Sequence, residues 1–322
     1  MERELALELV RVTELAALAA APWMGRGDKN SADGAATEAM RRMFDTVSIR
    51  GTVVIGEGEM DEAPMLYIGE EVGSTQGPAV DVAVDPLEGT EIVARGLNNA
   101  MSVLAVAPSG QLLHAPDMYM EKLAVGPALA GKLSLLDPIR TTVEKAALAL
   151  SKPISELTVT ILDRSRHAEL VRDLRETGVR IKLLSDGDVA GAMAPAFPEA
   201  GIDLYVGSGG APEGVLAAAA LKCLGGEIQG RLMPEDEAQR ERCVAMGIAD
   251  PRELLTMDAM IGDGDVIFSA TGITPGEFLG GVRYLPDQRA ETQSVVMRAK
   301  TRTIRYIRSL HYLPNKPLVQ KR

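Results

Sequence analysis

Strands and helices alternate regularly from about residue 157 onward, and this alternation constrains the fold more than any other feature of the sequence. Short runs of β-branched and aliphatic residues are each followed by a segment whose apolar residues have helical spacing. Strands separated by helices pair in parallel through right-handed crossovers, so we expect an α/β fold. The predicted strands are 157–162, 179–184, 202–206 and 227–229, and the predicted helices are 167–176, 189–197 and 214–224.

Polar residues follow three of these strands, where α/β sheets usually bind their ligands. Arg164 and Arg166 suit a phosphate, which guanidinium groups bind through two parallel hydrogen bonds, or else they are a solvated helix start. Asp186 and Asp188 suit sugar hydroxyls, or else they cap the next helix. Glu213 by itself is explained as a first-turn carboxylate of its helix. The polar runs are Asp163-Arg164-Ser165-Arg166, Ser185-Asp186-Gly187-Asp188 and Gly207-Ser208-Gly209-Gly210-Ala211-Pro212-Glu213.

The first part of the chain is less regular and is predicted to form a lobe of its own. We expect an N-terminal lobe over 1–130 and a C-terminal lobe over 131–322, closely packed together, with the junction at 127–138. Tyr119 is predicted to lie in a loop over 113–120. The predicted helices here are 2–21 and 32–44, and the predicted strands are 52–55, 80–84, 98–107 and 122–125.

The heptad Val84-Asp85-Pro86-Leu87-Glu88-Gly89-Thr90 ends a hydrophobic strand with two carboxylates. Pro86 is expected to stop the strand, because proline cannot donate to a β ladder. Asp85 and Glu88 are hard oxygen ligands of the kind that Mg²⁺ or Mn²⁺ prefers, although the same residues also form ordinary turns. Glu57 follows a strand in the same way, and Asp33 opens a helix, where a carboxylate taken singly is often only an N-terminal cap. Together these carboxylates favour the metal interpretation. Such a cluster would repel itself without divalent cations.

Composition excludes several classes of partner. The net charge of −11 and the aromatic content of 3% disfavour nucleic acid and anionic membranes as partners. Cys223 and Cys243 form no metal-ligand pair and no disulfide framework, and the N-terminus lacks a signal peptide, so a cytoplasmic protein is expected. The basic segment 291–322 alternates in strand fashion from Ser294 to Leu310, which favours a charged strand face or a subunit contact.

These motifs together resemble the lithium-sensitive phosphatase superfamily, whose signature is Asp-Pro-x-Asp-Gly-Thr/Ser. Glu88 stands here in place of the second Asp, and that variant is similar to the bacterial class II, GlpX-type, fructose-1,6-bisphosphatases. Arg164 is a departure, because several relatives carry Lys there; a cation is retained, but its reach and geometry differ. The resemblance covers essentially the whole chain, through Gly27-Asp28-Lys29 with Asp33, Gly56-Glu57-Gly58-Glu59, Ala63-Pro64-Met65-Leu66, Asp85-Pro86-Leu87-Glu88-Gly89-Thr90 and Gly209-Gly210-Ala211-Pro212-Glu213-Gly214.

The resemblance implies a layered αβαβα sugar-phosphatase fold and hydrolysis of the 1-phosphate of fructose 1,6-bisphosphate in gluconeogenesis. It also implies two or more Mn²⁺ or Mg²⁺ ions per site. The family's metal positions fall on Asp33, Glu57, Asp85, Glu88 and Glu213. Its substrate contacts fall on Lys29, Glu88, Gly89, Thr90, Tyr119, Arg164, Ser165, Arg166, Asp186, Gly187, Asp188 and Gly210.

The sequence is therefore interpreted as that of a metal-dependent sugar bisphosphatase, in which water attacks the 1-phosphate in line. Thr90 with Asp33 or Glu57 would orient and deprotonate that water. One alternative is a phosphatase of another substrate, sedoheptulose 1,7-bisphosphate or an inositol phosphate, or a dual sugar bisphosphatase. Another is a non-catalytic regulatory protein that binds a sugar phosphate. A homodimer or homotetramer is expected, since most soluble oligomers are symmetric.

Overall fold

The computed structural model of the chain describes residues 4–58 and 65–316. These residues form two compact units. Unit 1 contains the described residues up to Leu112 together with those from Gly264 onward, and unit 2 is Leu113–Asp263. The expected division at residues 130 and 131 differs from this grouping, because the chain returns after Asp263 to add strands to the first sheet.

Helices and strands account for most of both units, and the predicted α/β class is confirmed. No helix of the described ranges is long and apolar enough to cross a membrane. The α-helices are α1 (Leu5–Ala20), α2 (Lys29–Phe44), α3 (Thr90–Arg95), α4 (Ile139–Leu150), α5 (Ala168–Thr177), α6 (Asp188–Met193), α7 (Ala211–Leu224), α8 (Glu237–Ala245) and α9 (Met257–Met260). The strands are β1 (Arg50–Ile55), β2 (Glu71–Val72), β3 (Ala79–Glu88), β4 (Met101–Pro108), β5 (Tyr119–Val125), β6 (Thr158–Leu162), β7 (Arg180–Leu184), β8 (Leu204–Gly210), β9 (Glu227–Leu232), β10 (Ile267–Gly272), β11 (Arg283–Leu285), β12 (Arg289–Arg298) and β13 (Thr303–Tyr312).

Unit 1 is built on a mixed sheet with the strand order β11-β12-β10-β4-β3-β1-β2, and β13 extends it from β12. The pair β1 and β3 is parallel, whereas the other neighbours run antiparallel. Helices α1 and α2 supply much of the core on this sheet; Leu9, Leu18, Met40 and Phe44 are fully buried. Burial of that apolar surface is the main source of stability for the unit.

Strand β3 does not end before Pro86, so that part of the prediction was wrong. It pairs with β4 at Asp85 and Val103 and again at Glu88 and Met101, with a register shift between the two pairs. The shift is a β-bulge, which accommodates a residue that cannot donate to the ladder without ending the strand. Both carboxylates are therefore carried by the strand itself.

Unit 2 contains the sheet order β7-β6-β8-β5-β9. Strand β6 runs parallel to β7 and β8, as the alternation of strands and helices predicted. Strand β5 runs antiparallel to β8 and β9, so parallel pairing does not extend to β9. Tyr119 is the first residue of β5 and not part of a loop. The expected junction at 127–138 lies inside the unit, because Leu129 and Leu133 are buried in its core.

The basic C-terminal segment forms an antiparallel hairpin of β12 and β13 in place of the continuous strand pattern expected from Ser294 to Leu310. Ile307 packs against the core of unit 1, whereas Tyr306 and Arg308 are exposed. Arg308 and Arg283 both form ion pairs with Glu291, which gives this hairpin the charged face that was expected. A subunit contact there stays a prediction.

A buried polar cluster joins α1 to this hairpin. His311 Nε2 lies 2.8 Å from the hydroxyl of Thr292, which in turn lies 3.5 Å from the carboxyl of Glu14. Burial and the positive charge of Lys316 lower the pKa of His311 to about 4. Burial raises the pKa of Glu14, and hydrogen bonds from Ser309 and Thr292 oppose that change.

We expect His311 to make the chain sensitive to acid. A histidine in the unfolded chain titrates near pH 6.5, whereas the lowered pKa of His311 in the folded chain is about 4. Between these two pH values, proton binding therefore stabilises the unfolded chain. From about pH 7 to about pH 5 the wild type should lose about 2 kcal/mol more unfolding free energy than His311→Gln. Urea denaturation of both proteins at each pH measures this difference. Glu14 acts in the opposite direction but is present in both chains, and parallel pH profiles would contradict the assignment.

Candidate active site

Two of the predicted metal ligands lie on neighbouring parallel segments of unit 1: Glu57 follows β1, and Asp85 lies within β3. Ile55 of β1 lies level with Ala83 of β3 in the register of that pair. Glu57 and Asp85 each come two residues later, so both lie toward the same edge of the sheet, the edge at which α/β proteins bind ligands. Parallel pairing of β1 and β3 is what brings residues 28 positions apart to one edge.

Asp33 and Glu57 are in direct contact. Asp33 lies in the first turns of α2, and its side chain forms a hydrogen bond with that of Glu57. Burial raises the pKa of Asp33, and the hydrogen bond with Glu57 opposes that change. Two carboxyl groups in contact repel each other when both are ionised, so the pair needs a shared proton or a cation between its oxygens.

The bulge in β3 shapes the second pair of carboxylates. The carboxylate of Asp85 accepts the backbone N–H of Leu87 at 3.1 Å, which bends the chain over Pro86. Glu88 is buried, with 5% of its surface exposed. Gly89 then has a φ of 89°, a left-handed conformation that glycine adopts without strain, and it turns the strand into α3.

Thr90 and Lys29 are the first residues of two helices, α3 and α2, that an ion pair joins. Thr90 is the first residue of α3, so its backbone N–H is among those that the helix itself leaves without a partner. Lys29 opens α2 and forms a half-exposed ion pair with Glu91 at 2.7 Å. Lys29, predicted to contact substrate, is thereby linked to the helix that carries Thr90.

The donor set of unit 1 fits a hard divalent cation, because it consists of carboxylate oxygens and includes the Asp33–Glu57 pair. Within residues 4–58 and 65–316, however, no group of three or more Asp, Glu, His or Cys side chains is arranged closely enough to hold a metal. Glu59, Ala63 and Pro64, which belong to the motifs of the family, lie outside the described residues.

Unit 2 holds the predicted phosphate and sugar residues. Arg164 donates to the carbonyl of Ser185 at 2.6 Å and to the carboxylate of Asp186 at 3.1 Å. The turns after β6 and β7 are therefore tied together by one guanidinium group, while Ser165 beside it is exposed. Gly187 has a φ of 93° and starts the helix α6 in the turn after β7.

Arg166 is held by a different set of contacts. Its guanidinium donates to the side-chain and backbone oxygens of Ser208 at 3.0 and 2.6 Å and lies over the ring of Tyr119, 4.5 Å from the centroid. Buried His167 supports Ser208: its Nε2 accepts the Ser208 N–H at 2.9 Å, so its Nδ1 carries the proton donated to Leu162. Burial lowers the pKa of His167, which keeps the ring neutral for this role.

Asp188 is buried and paired, as the first residue of α6. Its carboxylate accepts hydrogen bonds from the ammonium of Lys122 and from the hydroxyl of Tyr205. The same ammonium donates to the carbonyl of Gly210 at 2.6 Å. The structure therefore connects two predicted substrate residues, Asp188 and Gly210, through one lysine.

Glu213 lies in the first turn of α7 and is partly buried. Burial raises its pKa, while the positive charge of Lys122 opposes that change. A Cβ on Gly210 would come within 1.9 Å of the Glu213 carboxylate, and one on Gly209 within 1.9 Å of the Asp188 carboxylate. Glycine at these two positions leaves the space that both carboxylates occupy.

The sequence analysis missed the supporting residues of unit 2, namely Lys122, Tyr205, Ser208 and His167. Lys122 carried a usable signal, because a lysine in the middle of the apolar strand β5 needs a buried partner. Ser208 and His167 carried no signal, because neither residue type by itself indicates which partner it binds. Their role depends on contacts across 41 residues of sequence.

Carboxylates at the sheet edge of unit 1 and arginines after β6 of unit 2, both on α/β architecture, suit enzymes that hydrolyse phosphate esters. Comparison with known proteins agrees with this class. The model of the family described as bacterial fructose-1,6-bisphosphatase, glpX-encoded, matches residues 3–311. The chain is 49% identical to fructose-1,6-bisphosphatase 1 class 2 of Escherichia coli K12, over 98% of this chain and 97% of the relative. The identity and coverage are the same for the class 2 enzyme of Shigella flexneri. The chain belongs to this bacterial fructose-1,6-bisphosphatase family, so the predicted resemblance is confirmed.

Proposed function

We propose that this chain hydrolyses fructose 1,6-bisphosphate to fructose 6-phosphate and phosphate, the reaction that serves gluconeogenesis. The observation that carries the proposal is the contact between Asp33 and Glu57 at the sheet edge reached by Asp85. The full-length family match supports the same substrate. Sedoheptulose 1,7-bisphosphate stays an alternative substrate, and a non-catalytic binding role is disfavoured by the family match.

Divalent cations are part of the proposal, with Mn²⁺ or Mg²⁺ as the candidates and two or more per site. A bound cation would polarise the phosphate and lower the pKa of a coordinated water. Oxygen ligands suit both ions, because both are hard cations. The residues proposed to hold the cations are Asp33, Glu57, Asp85 and Glu88 of unit 1 and Glu213 of unit 2.

Three residues of unit 1 are proposed for the chemical step. The hydroxyl of Thr90 accepts a hydrogen bond from the attacking water and orients it toward the 1-phosphate. Asp33 or Glu57 takes the proton that the water loses. Gly89 has no side chain, so the phosphate can approach its backbone closely.

Residues of unit 2 are proposed to bind the rest of the substrate. Arg166 and Arg164 bind the 6-phosphate, and Tyr119, Asp186 and Asp188 contact the sugar. Both guanidinium groups are already held by neighbouring carbonyls, so little side-chain entropy is lost when a phosphate binds. The remaining contacts are proposed for Lys29, Glu88, Ser165, Gly187 and Gly210.

A phosphate-release assay on fructose 1,6-bisphosphate tests the function. Release should require Mg²⁺ or Mn²⁺ and stop with a chelator. The kcat/KM for fructose 1,6-bisphosphate should exceed those for sedoheptulose 1,7-bisphosphate and an inositol phosphate. Binding of sugar phosphate without turnover, under all metal conditions, would contradict an enzyme.

Assembly and location stay predictions from the sequence. A homodimer or homotetramer and a cytoplasmic location are proposed for the chain. Size-exclusion chromatography with light scattering measures the mass in solution, and a monomer would contradict the proposed homodimer or homotetramer.

A further inference from the structure

Lys122 is unusual because its side chain is completely buried, with none of its surface exposed. It lies in the middle of β5, between Gly207 of β8 and Gly230 of β9. Lysine is almost never fully buried unless it is paired, because removing the ammonium from water costs several kcal/mol. A fully buried lysine inside a sheet therefore indicates that its positive charge binds specific partners.

The ammonium of Lys122 donates hydrogen bonds to two groups of the proposed substrate-binding set, and its positive charge also acts on Glu213. One is the carboxylate of Asp188, the first residue of α6. The other is the carbonyl of Gly210, where β8 passes into α7. One cation thus ties the starts of two helices to β5, an interior strand of the sheet.

Two nearby glycines leave room for this lysine and for its partner Asp188. A Cβ on Gly214 would come within 3.2 Å of the Cε of Lys122, so the lysine stem packs against the backbone of α7. A Cβ on Gly209 would displace the Asp188 carboxylate. Tyr205 donates to the other oxygen of that carboxylate and completes its orientation.

We propose that Lys122 is a positioning residue that holds Asp188 and the Gly210 backbone in the orientation that binds the sugar. The proposal rests on the proposed function, because it concerns residues assigned there to the sugar. Lys122 does not contact substrate; it acts through the two groups it binds. Its loss should therefore weaken binding of sugar phosphate more than it slows the chemical step.

The test compares Lys122→Met with wild type and with Glu121→Gln. Methionine keeps the length of the stem but has no donor. Glu121→Gln removes the pairing charge from the ion pair with Arg231, which is made by the neighbouring residue of the same strand. We expect Lys122→Met to raise both the KM for fructose 1,6-bisphosphate and the Kd for fructose 6-phosphate about 10-fold. The kcat should change less than about 3-fold, and Glu121→Gln should leave all three constants unchanged.

A second variant covers the case in which Lys122→Met does not fold. Lys122→Gln can still donate a hydrogen bond without burying a charge, and its Kd for fructose 6-phosphate should lie between those of wild type and Lys122→Met. Wild-type affinity in a folded Lys122 variant, with only a lower Tm, would overturn the proposal. A wild-type chain that binds fructose 6-phosphate but does not hydrolyse the bisphosphate contradicts the proposed function and leaves the affinity comparison valid.

Discussion

Replacing Glu57 by Gln should lower kcat for fructose 1,6-bisphosphate by about 1,000-fold. The substitution keeps the size of the side chain and its ability to hydrogen-bond Asp33. It removes the negative charge that the proposed cations require, and an amide cannot take a proton from water. Phosphate release at saturating substrate, with Mn²⁺ and with Mg²⁺, measures the loss.

Glu38→Gln is the matched control for this experiment. Glu38 lies on α2 like Asp33, but it forms an exposed pair with Arg42 one helical turn away. Exposed pairs of this kind contribute less than about 1 kcal/mol to stability, so Glu38→Gln should keep wild-type kcat. Near-normal turnover by Glu57→Gln, in a protein with wild-type Tm, would remove Glu57 from the catalytic set.

Replacing Gly56 by Ala should destabilise the chain by about 3 kcal/mol and disturb Glu57. A Cβ on Gly56 would lie 1.9 Å from the carbonyl oxygen of Leu66, which already accepts the backbone N–H of Glu57 at 3.0 Å. Leu66 is fully buried, so its backbone cannot move away without disturbing the core. Urea denaturation measures the loss of stability, and kcat for fructose 1,6-bisphosphate measures the displacement of Glu57.

Gly34→Ala gives the opposite expectation with the same chemical change. Gly34 lies in α2 beside Asp33, a Cβ there would meet no atom within 4 Å, and its φ is not in the left-handed range. Alanine should raise the free energy of unfolding by about 0.5 to 1 kcal/mol, because it lowers the entropy of the unfolded chain. Equal changes in unfolding free energy for the two substitutions would show that the contact with Leu66 does not determine the cost of a side chain at position 56.

The metal-ligand candidates were predictable because they follow local patterns. Asp85 and Glu88 lie in one heptad, and Glu57 follows a short β-branched strand, so each was visible within a few residues of sequence. The bulge at Pro86 was not predictable, because it depends on β4 continuing to pair on both sides of the proline. The grouping of the chain into units 1 and 2 was not predictable either, since nothing in the sequence near Gly264 shows that β10 inserts beside β4.

The sequence by itself determined the α/β class, the family, and the residue types available for phosphate chemistry. Those properties depend on hydrophobic periodicity and on short motifs, which act over a few residues. Only the tertiary structure decided that Lys122 binds Asp188 and Gly210, and that His167 supports Arg166 through Ser208. These contacts join residues 41 to 88 positions apart. Burial strengthens the contacts of Lys122 and His167, because a charge or hydrogen bond away from water must find its partner within the fold.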